Sequence, residues 1–426
     1  MERSTTTAEP HVAPLRRVTA ADREAFLAPF VRRREVFLRL SRAEGSPLYV
    51  FDEAALQRRA VQFREAFAAA LPTAAIFYAM KSNPYPGILR RLLACGLGLD
   101  VSSGWELEQA LGLGAEATVF SGPGKTDAEL DLAARRAERT TVLLDSFGEL
   151  VRLDRAAGRY GARVRAGIRL TTEDHGLWRK FGIPLSQLDR FLDAAQSCRH
   201  VSLEGLQFHT SWNLTPDAPV SFLDRLGHRL RTLSRSRRRS FRFLDIGGGY
   251  WPPPGEWIHG ETRDPASSLD ERHVPRLERP AAPLERFAEE LARALQRSIF
   301  PLVTCQIYVE PGRWISHEAM HLLLTVVDKK AADLVITDAG TNAIGWERFE
   351  QDYFPILNVT RPGPVERPCL VLGSLCTPHD VWGFTYCGEG IEPGDVLLIP
   401  CQGAYTYTLR QQFIKPLPRV VALPPS

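Results

Sequence analysis

The sequence predicts an α/β protein, a parallel (β/α)8 barrel joined to a smaller β-rich domain, and three observations predict it. Apolar, β-branched runs alternate with amphipathic helical stretches from about residue 47 to residue 315, the pattern of parallel strands linked by crossover helices. Eight such runs fall in that region, the number that closes a barrel, although periodicity by itself also suits an open doubly wound sheet. Past that region the pattern turns to short strands separated by turn residues, which reads as a β-rich domain.

The elements follow in chain order. Residues 1–20 are polar and read as disordered. The eight strand candidates are Ile76–Lys81, Leu99–Ser102, Thr118–Ser121, Thr141–Asp145, Val164–Leu170, Leu203–His209, Phe241–Ile246 and Gln306–Glu310. Helical spacing marks Ala54–Ala70, Glu106–Leu113 and Leu188–Cys198 between them. The stretch Trp251–Pro283 is too long and too rich in proline for an ordinary connection after the seventh strand. It is either a lid over the catalytic face or a surface excursion without a role. The second domain is expected to contain strands His321–Asp328, Leu334–Thr337, Cys369–Leu372, Asp395–Cys401 and Tyr405–Leu409.

Composition narrows the function. The chain has 426 residues, 44% hydrophobic, and its 53 basic residues nearly balance 50 acidic ones, so no global field calls for nucleic acid or an anionic membrane. The one basic run, Arg235 to Arg239, lacks interleaved aromatics and reads as a solvated helix end. There is no signal-peptide pattern and no membrane span, which places the chain in the cytosol. Seven cysteines, at 95, 198, 305, 369, 376, 387 and 401, are odd in number and lack metal-ligand spacing, so reduced thiols are expected.

Three features carry chemistry. Of six lysines, Lys81 alone ends an apolar strand; at a barrel mouth, burial lowers an ammonium's pKa and frees an amine for a Schiff base. In Leu244-Asp-Ile-Gly-Gly-Gly249 a strand runs into three glycines, whose bare N–H groups can converge on an anion. In Glu310-Pro-Gly-Arg313 a carboxylate and a guanidinium flank a turn after the eighth strand, where such barrels often bind phosphate. A Schiff-base lysine, a phosphate cradle and an acid for a pyridine nitrogen together are what pyridoxal 5'-phosphate requires.

Ordered motifs reinforce this: Tyr78-Ala-Met-Lys-Ser-Asn83, Asp100-Val-Ser-Ser-Gly-Trp-Glu106, Asp145-Ser146, Lys180-Phe-Gly182, Gly205-Leu-Gln-Phe-His209, Asp245-Ile-Gly-Gly-Gly249, Glu310-Pro-Gly-Arg313, Gly373-Ser-Leu-Cys376 and Gly403-Ala-Tyr405. Through them the chain, from about residue 46 to residue 412, resembles the fold-type III pyridoxal-phosphate decarboxylases, the group of diaminopimelate, ornithine and arginine decarboxylases on an alanine racemase-type barrel. The resemblance implies a barrel over 47–317, a β-rich domain made of 21–46 with 318–426, and a homodimer with shared active sites. It makes Lys81 the Schiff-base lysine and His209 the residue stacked on the ring. Gly247, Gly248, Gly249, Gly312, Arg313 and Tyr405 would hold the cofactor, chiefly its phosphate, and Glu310 would meet the pyridine nitrogen. Cys376 of the partner subunit would protonate the carbon that has lost its carboxylate, which a buried thiol can do. Asp100, Glu106 and Arg169 form either a supporting polar network or structural salt bridges.

The chain also departs from that pattern. Members acting on diamino acids follow the cysteine with an acid; here Thr377 stands, and a hydroxyl cannot pair with a buried ammonium. The residues after the stacking histidine include Ser211 and Trp212, the indole either at the cofactor mouth or under a loop. Trp346, Arg348, Glu350, His379 and Asp380 lie in stretches that contact substrate in the family, and Arg348 is the candidate for a substrate carboxylate. The expected reaction is removal of the α-carboxylate from an unusual amino acid or amino-acid conjugate in specialised biosynthesis, such as that of a siderophore. The alternative is a diaminopimelate, ornithine or lysine decarboxylase of primary metabolism. A racemase on the same barrel is disfavoured by Glu310, because a racemase gains from a weaker electron sink. A binding-only relative is disfavoured by Lys81 and Cys376. In another class stands His317-Glu318-Ala-Met-His321, a literal H-E-x-x-H that would suit a zinc hydrolase if helical. Ser121-Gly-Pro-Gly-Lys-Thr126 fails as a phosphate-binding loop because position 119 is valine.

Overall fold

The computed structural model describes residues 15–260, 275–345 and 352–424. The chain enters through strand β1 (Arg16–Arg17) and two helices, α1 (Ala20–Arg32) and α2 (Arg34–Glu44). Thr19 caps α1 in a reciprocal box with Asp22, whose carboxylate accepts the Thr19 N–H at 2.8 Å. Residues 15–20 are therefore ordered, contrary to the disorder expected of 1–20; residues 1–14 lie outside the described residues. Residues 21–46 are mostly helical rather than β.

Strand β2 (Leu48–Phe51) leads to α3 (Glu53–Ala70), and the barrel alternation begins with β3 (Ala75–Ala79) and α4 (Pro86–Ala94). It continues through β4 (Gly98–Val101), α5 (Gly104–Gly112), β5 (Thr118–Phe120), α6 (Asp127–Arg135), β6 (Thr140–Leu144), α7 (Phe147–Arg159) and β7 (Val164–Leu170). Then come α8 (Leu188–Ala195), β8 (Val201–Phe208), α9 (Asp217–Thr232), α10 (Arg235–Ser240) and β9 (Phe243–Asp245). Strands β10 (Gly255–His259) and β11 (Arg276–Pro280) lie in the proline-rich stretch, followed by α11 (Leu284–Ser298) and β12 (Gln306–Val309). The eight parallel strands β3–β9 and β12 close on themselves, because β12 pairs with both β9 and β3. The open doubly wound sheet is thereby excluded.

The barrel floor is plugged by Phe77, Val119, Leu143, Phe243 and Tyr308. Gly205 makes room for this plug: a Cβ there would stand 2.2 Å from the Phe243 ring. With the floor apolar, polar side chains inside the barrel collect toward the C-terminal mouth, where strand ends deliver catalytic groups.

After α12 (Arg313–Ser316) the chain forms β13 (Met320–Ala331), β14 (Leu334–Thr337), β15 (Leu357–Asn358), β16 (Glu366–Leu372), β17 (Val381–Cys387), β18 (Val396–Ile399) and β19 (Arg419–Ala422). These join β2 in an eight-stranded mixed sheet ordered β14-β16-β17-β15-β18-β13-β2-β19. Leu48–Phe51 therefore belongs to this sheet, not to the barrel as a boundary at 47 would have it. Tyr405–Leu409 is a run of turns, not a strand, and Tyr405 takes a φ of +59°. Part of the proline-rich stretch folds with β1 into a three-stranded sheet, β1-β11-β10, held by regular antiparallel pairing. All seven cysteines are unpaired thiols.

Candidate active site

Strand β3 ends at Ala79, and a tight turn over Met80–Ser82 presents Lys81 to a cavity of about 430 Å3. The Lys81 Nζ donates to Asp100 Oδ2 at 2.9 Å, and the other oxygen of Asp100 accepts the Ser121 hydroxyl at 2.5 Å. Burial works against the Lys81 charge, but the carboxylates of Asp100 and Glu310 outweigh it and hold the ammonium above its ordinary value. The lowering expected from burial alone is thus reversed, because the strand ends that bury this lysine also bring it two acids.

His209 follows the last residue of β8. Its Nδ1 accepts the Gly248 N–H at 3.2 Å and lies 3.6 Å from Glu310 Oε2, and its Nε2 stands 3.3 Å from the Ser211 hydroxyl. Burial lowers its pKa, so the ring is neutral, with Nδ1 the acceptor. Burial by itself would raise the Glu310 carboxyl; the charge of Lys81 and the neighbouring Asp245 carboxyl prevail and bring it down to about 2. Asp245, fully buried on β9, is pushed well above its ordinary value by burial and by the Glu310 charge. Its Oδ1 accepts the Gly247 N–H at 2.9 Å, while no N–H or hydroxyl of another residue reaches Asp245 Oδ2 or Glu310 Oε1. The neutral Asp245 shares its proton with Glu310, whose carboxylate keeps lone pairs for a ligand donor.

The turn after β9 is set by its glycines. Gly247 and Gly249 have φ of +67° and +85°, and a Cβ on Gly248 would lie 2.1 Å from the Glu310 carbonyl. Asn213 steadies this turn by donating to the Gly248 carbonyl at 2.9 Å. Opposite it, the Arg313 guanidinium lies over the Trp251 ring at 4.2 Å and the Tyr405 ring at 5.0 Å. Tyr405 is anchored by its own N–H to the Ser82 carbonyl at 2.8 Å. Lys81, His209, Gly249, Glu310, Gly312, Arg313 and Tyr405 all line one cavity, together with Trp212, Trp251, Glu256 and Asp352. The donor set fits pyridoxal phosphate: an amine, a carboxylate with lone pairs kept for a donor, and a glycine turn facing a guanidinium and a phenol.

Other expected residues lie elsewhere. Arg169 stacks on Phe181 at 4.5 Å and faces Asp145 at 3.8 Å, and its charge reaches His209, so it braces a loop at the border of the Lys81 cluster. Glu106, pushed up to about 6 by burial, accepts the Ser102 N–H at 2.6 Å behind Asp100. Asp380 is buried, and its two oxygens take the N–H groups of Thr341 and Leu375, both at 2.7 Å. It is a loop brace rather than a substrate contact. Cys376, exposed, and Thr377 sit in that braced loop, away from their own chain's cavity. Trp212, 63% exposed with a φ of +51°, stands at the mouth and not under a loop. Trp346, Arg348 and Glu350 lie outside the described residues.

The zinc reading is overturned. His317 opens a single short helical turn, His317–Ala319, while His321 lies on β13, so the two imidazoles share no helix face. The His321 Nδ1 accepts the Cys401 N–H at 3.0 Å, and Glu318 is paired with Arg58 and Arg59. No group of His, Cys, Asp and Glu suited to a metal occurs among the described residues, and among them no helix is long and apolar enough to cross a membrane.

This geometry defines a barrel enzyme built around an amine and an anion cradle. The chain belongs to the pyridoxal-dependent decarboxylases, whose pyridoxal-binding domain matches residues 53–317. It is a pyridoxal-phosphate-dependent amino-acid decarboxylase. Diaminopimelate decarboxylase of Aquifex aeolicus is 26% identical over 390 residues, covering 88% of this chain and 85% of that relative. An L-glutamyl-(BtrI acyl-carrier protein) decarboxylase of Niallia circulans is 23% identical, covering 86% and 85%. In fold, the chain superposes on diaminopimelate decarboxylase of Helicobacter pylori complexed with L-lysine, with a TM-score of 0.75 at 23% identity, covering 91% of this chain and 94% of that one.

Sequence reasoning assigned no role to Asp245 or Glu256. Asp245 sits inside a quoted motif and was legible as a buried acid beside glycines; nothing in the sequence pointed to Glu256, which only the folding of β10 brings to the cavity.

Proposed function

We propose that the protein removes the α-carboxylate of a non-standard amino acid or amino-acid conjugate in specialised biosynthesis, working in the cytosol as a homodimer. The decarboxylase chemistry rests on the carboxylate of Glu310, with lone pairs kept for a ligand donor, sharing a cavity with the Lys81 amine. Pyridoxal phosphate, when bound, supplies the electron sink for the pair left behind as carbon dioxide departs. Lys81 would hold the cofactor's aldehyde end, and Asp100 keeps Nζ in place. Glu310 would face the pyridine nitrogen and favour its protonated form, which a carboxylate held near 2 can do at neutral pH. The neutral His209 would border the ring without adding a competing charge. Gly247 to Gly249, Gly312, Arg313 and Tyr405 would hold the phosphate. Cys376 from the second subunit delivers the proton to the α-carbon, in keeping with its exposure outside its own chain's cavity. A racemase would be served by a cation at the position of Glu310, and Glu310 is ionised.

The substrate reading rests on Thr377, whose hydroxyl cannot neutralise a distal ammonium. The glutamyl-carrier relative shows that this group of sequences includes an enzyme acting on a conjugate. Carbon dioxide release from lysine, ornithine, arginine and diaminopimelate tests it. All four are expected to turn over slowly, and rapid release from any one removes the argument from Thr377.

A further inference from the structure

The cavity extends beyond the residues that hold the cofactor. With Lys81, His209, Glu310, Gly312, Arg313 and Tyr405 assigned to the ring and phosphate, the remaining lining includes Trp212, Trp251, Leu409, Glu256 and Asp352. Among the described residues of that wall, the charged groups are carboxylates. Glu256 comes from the stretch the sequence left as either a lid or an excursion. On β10, consecutive side chains point to opposite faces: Trp257 packs with Val18 and Tyr353, and Glu256 turns to the cavity. Antiparallel pairing puts Arg279 of β11 directly across from Glu256, and Arg279 Nη1 donates to Glu256 Oε2 at 3.0 Å. The sheet β1-β11-β10 thus holds one carboxylate in a fixed pose at the outer wall of the site. The indoles of Trp212 and Trp251, which line the same cavity, suit a carbon stem.

We infer that Glu256 reads the distal end of the substrate, accepting a hydrogen bond from an ammonium or other N–H group at the end of an apolar stem. This rests on the decarboxylase reading and deepens it. Because Glu256 is already paired with Arg279, it accepts an N–H without supplying the full counter-charge a free distal ammonium needs, in keeping with slow turnover of simple diamino acids. A carboxylate-ended side chain is repelled there. The insertion is then a specificity wall, and no closing motion is required of it.

The test uses holoenzyme loaded with pyridoxal phosphate and three probes of known chemistry: L-lysine, L-norleucine, which matches lysine without the amine, and L-glutamate. Dissociation constants come from calorimetry and from the change in the cofactor's visible absorption, so turnover is not needed. Wild type is expected to bind L-lysine about ten-fold more tightly than L-norleucine, and L-glutamate more weakly than either. Glu256→Gln, which keeps a partner for Arg279, is expected to erase the lysine preference and leave norleucine binding unchanged. Arg279→Met removes the same ion pair but keeps the carboxylate, and is expected to keep the preference, which a merely structural role for the pair would not allow. Equal binding of lysine and norleucine by wild type, or a preference that survives Glu256→Gln, overturns the inference. Cofactor uptake is measured first on the same samples. Failure there refutes the decarboxylase reading, whereas rapid carbon dioxide release from lysine with the Glu256 dependence intact refutes the argument from Thr377 alone.

Discussion

The barrel mouth and the seam between barrel and mixed sheet each bury a histidine against a carboxylate. His209 lies 3.6 Å from Glu310, and His321 lies 3.8 Å from Asp52. Burial lowers the pKa of both imidazoles. Their surroundings differ. His321 is closed in by the rings of Phe30 and Phe37, and Asp52 is consumed by Arg33 at 2.6 Å and by the Ala55 N–H at 2.9 Å, which caps α3. The His209 pair faces a cavity, and Glu310 keeps an oxygen that no other residue's N–H or hydroxyl reaches. Buried titratable pairs occur in both places; chemistry belongs to the one that leaves donors and acceptors for a ligand.

Exchanging charge for shape at each pair sharpens this contrast. Glu310→Gln is expected to lower kcat by about 10²–10³-fold, the scale of losing one preorganised electrostatic contact. Its unfolding midpoint should not fall, because the change relieves a buried negative charge close to Asp245. Steady-state kinetics and thermal melts check both, and a wild-type kcat would break the contrast. Asp52→Asn keeps a capping side chain but strands the part-buried Arg33, and is expected to cost about 2 kcal/mol of stability with kcat unchanged. Denaturant unfolding measures the first, and a large loss of activity would place the seam in the chemistry after all.

The smallest effect is in pH. Burial lowers His321, and it brings His259, set against Tyr353 and Phe384, to about 4. The unfolded chain then binds these protons more readily than the folded one, so the stability from neutral imidazole is complete above about pH 6.5. It is lost as pH falls below that, by about 1 kcal/mol per pH unit for each histidine. Melting curves from pH 7 to pH 5 should show midpoints moving down, and His259→Asn should flatten the slope; a rise on acidification would contradict it.

Much of the barrel and part of the mixed sheet were legible because their code is local. Val164–Leu170 and Leu334–Thr337 are strands at their expected bounds, and Lys81, His209 and Glu310 fall at strand ends where alternation puts them. What was lost depended on distant partners. A boundary at 47 puts Leu48–Phe51 with the barrel, but β13 pairs with it from more than two hundred residues away. Tyr405–Leu409 alternates aromatic and threonine residues as a strand would, but Tyr405 turns back to meet Ser82. The H-E-x-x-H spacing holds only on a helix, and β13 claims its second histidine. The sign of the Lys81 shift was missed because burial is visible as an apolar run, whereas Asp100 and Glu310 come near only when strands β4 and β12 flank β3.

The account stands on Lys81 as the covalent anchor of pyridoxal phosphate. Holoenzyme reduced with borohydride, digested and mapped by mass spectrometry should carry the pyridoxyl group on the peptide containing Lys81 and on no other. Labelling of a different lysine, or a protein that takes up no cofactor in excess, would contradict it.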